Sequence, residues 1–317
     1  MEPWTSFWEH GHSTTFGAFF KDGYDGAIKS WWQKILTNVP QPADVLDIGC
    51  GNGALLLDLL EQKITGSYTG VDLAGVKLSD VAKEKLNASN ALKAQLKPNT
   101  NAEQLPIESA SVDVAASVFG IEYSDLQKSL PEAIRVLKPG AAFHALMHAD
   151  ESVISSMSAR ALNEFQDEDM TTIVANLTTI DQQLNELRIP AKLKTSREAE
   201  AARTNLNALA QKYMSNLNPE TGNAIMVQFV GDALKYFKMI KQSDVIRKKY
   251  IDGLSAEFAA SRQRYHAMAA AAQSEADVQK IQTLLQALPC TSVRVEKFFA
   301  DPDQKELAGW HISACKS

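Results

Sequence analysis

The feature that most constrains this chain is a turn. Val45-Leu46-Asp47-Ile48 is a short, mostly apolar run carrying one acid. It passes through Gly49, Gly51 and Gly53 at alternate positions and opens directly into Ala54-Leu55-Leu56-Leu57-Asp58-Leu59-Leu60. That order predicts a strand, a tight turn and a helix N-terminus, an arrangement in which backbone N–H groups face a ligand. Glycines at every second position let a bulky polar ligand press against bare backbone, which a Cβ would prevent. A nucleotide-like cofactor is expected here.

Gly49-x-Gly51-x-x-Ala54 also satisfies the dinucleotide fingerprint, which alone is a weak signal. Asp47 tilts the choice. Two residues before the first glycine, it is expected to point a carboxylate into the cofactor cleft, where it repels a pyrophosphate and attracts a cationic amino group. Gly53 completes a D-x-G-x-G-x-G spacing.

From Asp47 to Gly53 the chain resembles motif I of the class I S-adenosylmethionine-dependent methyltransferases, and the similarity runs along roughly its first half. Tyr68-Thr69-Gly70-Val71-Asp72-Leu73 reads as a second strand ending in an acid, at a distance that suits a carboxylate bridging two ribose hydroxyls. Asn101-Ala102-Glu103-Gln104-Leu105-Pro106 is similar to the third motif, where a polar side chain (Asn101) and the next backbone N–H (Ala102) meet the adenine edge. Ser111 to Phe119 is similar to the fourth strand, and Ala133-Ile134-Arg135-Val136-Leu137-Lys138-Pro139-Gly140 to the helix and turn before the fifth. The resemblance implies S-adenosyl-L-methionine as cofactor and S-adenosyl-L-homocysteine as product. It places them against Asp47, Gly49, Cys50, Gly51, Gly53, Asp72, Leu73, Asn101, Ala102, Glu103, Ser117 and Phe119. It is greatest to the ubiquinone/menaquinone-biosynthesis type.

The expected fold is α/β: a doubly wound, mostly parallel seven-stranded sheet of the Rossmann-like methyltransferase kind, with an all-helical insertion between strands 5 and 6. Strands are expected at Val45–Asp47, Ser67–Val71, Ala94–Leu96, Val112–Ser117 and Ala142–Met147, with helices at Ala54–Gln62, Val76–Asn87 and Leu126–Leu137. Beyond Asp150 helical periodicity takes over. Ile173, Leu177, Ile180, Leu184 and Leu187 form a heptad seam that Pro190 ends, and Ala199, Ala202, Leu206, Leu209 and Tyr213 repeat it. Phe229, Ala233, Phe237 and Ile240 mark a third helix, and Tyr250, Leu254 and Phe258 a fourth. Too few heptads are present to demand an intermolecular coiled coil, so an internal bundle is favoured, with a homodimer through it as the assembly it would allow. A helix over Ala276–Leu288, then Thr291–Phe299 and Leu307–Ala314 as an antiparallel hairpin, would close the sheet. The domains are therefore an aromatic-rich arm over 1–42, a cofactor-binding core over 43–150, the helical block over 151–275, and the closing helix and hairpin over 276–317. The block is expected to emerge over the substrate side of the cleft.

Composition sets bounds. The formal net charge of −6 gives no global footprint for nucleic acid. Three scattered cysteines favour a reducing compartment over a disulfide framework. Neither a secretory leader nor a membrane-length apolar run is visible, so a cytoplasmic protein without a membrane partner is expected. His10-Gly11-His12 lacks a third ligand, and no metal is expected. Arg247-Lys248-Lys249 and Arg262-Gln263-Arg264, balanced by Asp167-Glu168-Asp169, read first as a solvated helix face.

Candidates for chemistry follow the fourth and fifth strands: Glu122 and Tyr123, which position substrate or are merely solvated, and His148, which reads first as a strand-end histidine bonded to backbone and second as a base. Methyl transfer is an in-line displacement in which positioning does much of the work, so a base is optional. In the family resembled, an N-terminal helical segment folds over the cleft as a lid. That puts His12, Phe16, Phe20 and Tyr24 near substrate, with Trp31 and Trp32 nearer the sheet. Phe119-Gly120-Ile121-Glu122 stands where many nucleobase and amide methylators carry Asn/Asp-Pro-Pro-Tyr/Phe. The expected reaction is thus methyl transfer to a small, largely apolar molecule. Transfer to protein or RNA through the helical block, and cofactor binding without turnover, are the alternatives.

Overall fold

The computed structural model describes residues 3–15, 20, 22–89, 91–218 and 221–317. Contacts divide it into two compact units, Met1–Met157 with Ala267–Ser317, and Ser158–His266.

In the first unit, β1 (Ala43–Ile48), β2 (Gly66–Val71), β3 (Leu92–Lys97), β4 (Val112–Val118), β5 (Leu137–Met147), β6 (Cys290–Phe299) and β7 (Leu307–Lys316) form one sheet in the order β3-β2-β1-β4-β5-β7-β6. β1 to β5 pair in parallel, while β7 lies antiparallel between β5 and β6. This is a Rossmann-like, mostly parallel seven-stranded sheet, and the helical block interrupts it between β5 and β6.

Strand β5 begins at Leu137, earlier than the expected Ala142, because Leu137 already pairs with Val112 across an irregularity. The helix after β2 begins at Asp80, not Val76, because the Ser79 side chain accepts the Ala82 N–H and fixes the start there. The sheet is packed on both faces. Trp32, Leu46, Leu56, Tyr68, Phe143 and Ile312 are fully buried, and the apolar runs of the sequence are the reason. The N-terminal region supplies α1 (Pro3–Glu9) and α2 (Gly26–Leu36). Trp32 of α2 packs into the core and donates its indole N–H to the Leu55 carbonyl at 3.2 Å; Trp31 meets His144, Phe298 and His311 edge-on.

The chain leaves and rejoins this unit at one spot. Ala149 and Gln273 form an isolated parallel bridge; Gln273 N–H donates to the His148 carbonyl at 2.8 Å, and the Gln273 carbonyl accepts from Asp150 N–H and from the Trp310 indole at 2.9 Å.

The second unit is helical. Its main helices are α3 (Asp167–Leu187), α4 (Arg197–Met214), α5 (Ala224–Lys235) and α6 (Asp244–Ala271). The heptad seam is buried at Ile173, Leu177, Ile180 and Leu184, and the first three share a core with Leu206, Phe229 and Phe258. The basic run differs from a solvated face: Arg247 and Arg264 are buried, and Arg247 pairs with Asp181 at 2.6 Å. No helix among the described residues is long and apolar enough to cross a membrane.

Candidate functional site

A cleft opens at the carboxyl ends of β1, β2 and β4, with about 1020 Å³ of space free of protein atoms, part of it open to solvent. The first wall is the glycine turn. Gly49, Gly51 and Gly53 all have positive φ (73°, 49° and 85°), a backbone that only glycine adopts freely. A Cβ at Gly49 would stand 2.7 Å from the Gly120 Cα, and one at Gly51 would stand 2.5 Å from the Trp8 ring.

The turn differs from expectation in one chemical respect. Its N–H groups do not point outward: those of Gly49 and Cys50 donate to the Val71 carbonyl at 2.9 and 3.0 Å. Gly51 donates to Asp72 at 2.8 Å and Gly53 to the Cys50 carbonyl. A phosphate would find none of these four donors available. What the turn presents is bare Cα surface.

Asp72 ends β2 at the cleft, where its two oxygens accept from Gly51 N–H and Ala74 N–H, both at 2.8 Å. Leu73 beside it is exposed. Thr100, Asn101, Ala102 and Glu103 line the polar edge; the Asn101 side-chain oxygen accepts from Glu103 N–H at 2.9 Å, and a Glu103 carboxylate oxygen accepts from Asp125 N–H. Trp4, Trp8, Tyr24, Phe119 and Tyr123 also line it, with Trp8 packed against Cys50 and Ala74. Phe119 holds φ at +53°, an uncommon backbone for a bulky residue that turns its ring toward the cleft wall.

Several expected site residues lie elsewhere. Asp47 is not on the wall: it is buried beneath the turn, accepts the Tyr68 hydroxyl at 2.7 Å, and burial raises its carboxyl pKa to about 7. Gly53 caps the helix behind the turn. Ser117 is fully buried and braces the backbone, donating to the Ile48 carbonyl at 2.7 Å and accepting Ile121 N–H at 2.9 Å. His12 stacks on Phe7 away from the lining, and Phe20 lines a separate hollow with Leu57 and Lys85. Phe16 lies outside the described residues. Trp4, Trp8, Ser13 and Thr15 of the N-terminal arm are also on the wall. Asn52 is what brings them there. Fully buried, it donates to the carbonyls of Trp8 and His12, both at 2.9 Å, and so staples the arm to the turn.

The catalytic candidates form one cluster. Tyr123 is on the wall; its hydroxyl lies 3.2 Å from His148 Nε2, and the imidazole stacks on Phe119 at 4.5 Å. Glu122 accepts His148 N–H at 3.0 Å. Both are buried behind the wall, and two atoms there, Glu122 Oε2 and His148 Nδ1, have no hydrogen-bond partner. Burial sets their charge, raising the Glu122 pKa to about 8 and lowering that of His148 to about 4. At neutral pH both are uncharged.

Comparison with known proteins meets this geometry. Residues 45–140 match a family model described as a methyltransferase domain. The ubiquinone/menaquinone biosynthesis C-methyltransferase UbiE of Rickettsia prowazekii is 33% identical over 132 residues, 38% of this chain and 51% of that protein. The sterol 4-C-methyltransferase strm-1 of Caenorhabditis elegans is 33% identical over 100 residues, 31% of this chain and 29% of the relative. Among solved structures, the YcgJ protein of Bacillus subtilis superposes with a TM-score of 0.33 at 24% identity, over 43% of this chain and 56% of its own. The chain spans about half the length of the UbiE relative it matches. Residues 45–140 are thus similar to a methyltransferase domain, and the curated relatives named above are methyltransferases.

Proposed function

We propose that the protein transfers a methyl group from S-adenosylmethionine to a small, largely apolar acceptor. The observation that carries this reading is the make-up of the cleft: a bare-backbone turn with the N–H groups of its glycines and Cys50 consumed, an acid and an amide in its lining, and aromatic rings beside them. The consumed donors disfavour a pyrophosphate. The edge formed by Asp72, Asn101 and Ala102 offers partners for a nucleoside's sugar and base. Bound there, S-adenosylmethionine would supply an electrophilic methyl group on a sulfonium leaving group.

The chain's own part is to hold, orient and exclude water. Trp4, Trp8, Tyr24 and Phe119 give an acceptor an apolar surface, and the relatives' printed names, a quinone-pathway enzyme and a sterol enzyme, support that class. Tyr123 brings a hydroxyl to that wall. With His148 neutral, Nε2 accepts the phenol proton in one tautomer and donates to the phenol oxygen in the other. Tyr123 can therefore present either a lone pair or a proton to an acceptor hydroxyl, amine or carbon acid. His148 and Glu122 are positioning residues behind it.

Calorimetry with S-adenosylhomocysteine and with NAD tests the reading. Saturable heat is expected with the first only, weakened about tenfold or more by Asp72→Asn, the scale of a charge-assisted hydrogen bond. Saturation by NAD with none by S-adenosylhomocysteine would overturn it.

A further inference from the structure

The helical unit has two neighbouring turns, one between α3 and α4 and one between α5 and α6. Buried bonds hold them at the same end of the bundle: Arg247, in the first turn of α6, pairs with Asp181 at 2.6 Å and bonds the Asn185 side chain and the Gln242 carbonyl, and Tyr236 donates to Asp181 at 2.7 Å. Around this tip Arg188, Lys192, Lys194, Lys241, Lys248 and Lys249 are all exposed, against the acids Glu186, Glu198 and Asp244. The unit's ion pairs near its surface are formed by other cations, Lys212 with Asp169, Arg203 with Glu200, Lys235 with Asp232 and Arg262 with Asp167. The tip therefore carries a surplus of positive charge, six cations against three acids, in a chain that is acidic overall.

Among these cations stand aliphatic side chains that burial should have claimed. Ile189 is 46% exposed, Val245 71% and Ile246 44%. Isolated exposed aliphatics are ordinary, but three within two adjoining turns, ringed by lysines, form a patch with a chemistry of its own.

We infer that this tip docks peripherally on an anionic lipid bilayer. The lysines and arginine meet headgroup phosphates, each contributing electrostatic attraction near the surface, and Ile189, Val245 and Ile246 enter the headgroup–acyl boundary. RNA shares the anionic charge, but its recognition draws on aromatic stacking platforms, and the side chains exposed here are aliphatic. The inference revises the expectation of no membrane partner, which rested on the lack of a spanning run; a peripheral contact needs none. It rests on the proposed function only for its purpose, since an apolar acceptor resides in a lipid phase.

Vesicle co-sedimentation of the full chain tests it. Phosphatidylcholine vesicles are expected to leave the protein in solution, whereas vesicles with about a third phosphatidylglycerol are expected to pull it down, less so as salt rises. K192E/K194E/K248E/K249E should lose at least about tenfold in partitioning, and V245S/I246S, which keeps every charge, about threefold or more. Circular dichroism and the heat of S-adenosylhomocysteine binding should be unchanged in both variants, which separates failure at the tip from failure of the cofactor reading. The inference falls if anionic vesicles do not bind the chain, if neither variant weakens binding, or if V245S/I246S is neutral while unstructured RNA binds more tightly than the vesicles.

Discussion

Each unit of this protein buries a cluster of ionisable side chains, and the two clusters are built on opposite terms. In the helical unit Asp181, Arg247 and Tyr236 satisfy one another, with Asn185 and the Gln242 carbonyl taking the remaining guanidinium donors. Beside the cleft, Glu122 and His148 are as deeply buried but leave Oε2 and Nδ1 unpartnered, and burial alone keeps both groups neutral. Buried polar groups are normally paired, because an unpaired one costs its desolvation. A satisfied cluster is therefore architecture. The unsatisfied one beside the cleft bears that cost without a partner among the described residues.

The comparison breaks most visibly at Asp181. Asp181→Ala leaves the Arg247 guanidinium buried without its carboxylate, which is expected to cost about 3–5 kcal/mol, read as a lowered urea midpoint. A shift no larger than that of the exposed Glu168→Ala would show the network to be dispensable.

Glu122 comes next, and its effect runs with pH. Its folded pKa, about 8, lies above the ordinary 4.5, so the unfolded chain releases its proton first. Stability therefore falls as pH rises through the window between those values and levels off above it, by on the order of a few kcal/mol. Glu122→Gln should flatten that fall, leaving the shallower slopes of the same sign from Asp47 and Asp58. His148 acts in the other direction: with its pKa lowered to about 4 from 6.5, stability falls as pH drops through that interval. Urea midpoints at pH 6 and pH 9 compare the two proteins, and an equal fall in both would mean that Glu122 is not held protonated.

The smallest effect on stability, and the most local one, is expected at Tyr123. Tyr123→Phe keeps the ring against Trp4, so stability should move by less than about 1 kcal/mol and the affinity for S-adenosylhomocysteine by less than about twofold, while kcat falls about tenfold. Unchanged kcat with the preferred acceptor would remove the hydroxyl from the reaction.

The contrast also explains how much could be read beforehand. The strand–turn–helix at Asp47 to Gly53 was legible because backbone geometry dictates glycine there, and the seam from Ile173 to Leu184 because period alone reveals a buried stripe. The closing hairpin and its place beside β5 followed the expected order. Trp4 and Trp8 were not legible as lining residues. Their helix is only seven residues long, and its position is set by Asn52, 44 residues away from Trp8 in sequence. Asp47 was placed on the wall by its spacing, yet spacing does not say which side of a strand is filled by Tyr68. Likewise Arg247 read as one cation of a surface run, because nothing local reveals the Asp181 that claims it.

The bridge between Ala149 and Gln273 has a topological consequence. Because the outgoing and returning chain are hydrogen-bonded neighbours, tied further by the Trp310 indole, everything spliced between them behaves as a cassette. Its length and content can drift through evolution without disturbing the register of the terminal hairpin, since the socket is closed on the sheet's side. A graft at that socket changes what the sheet carries while leaving the sheet itself untouched.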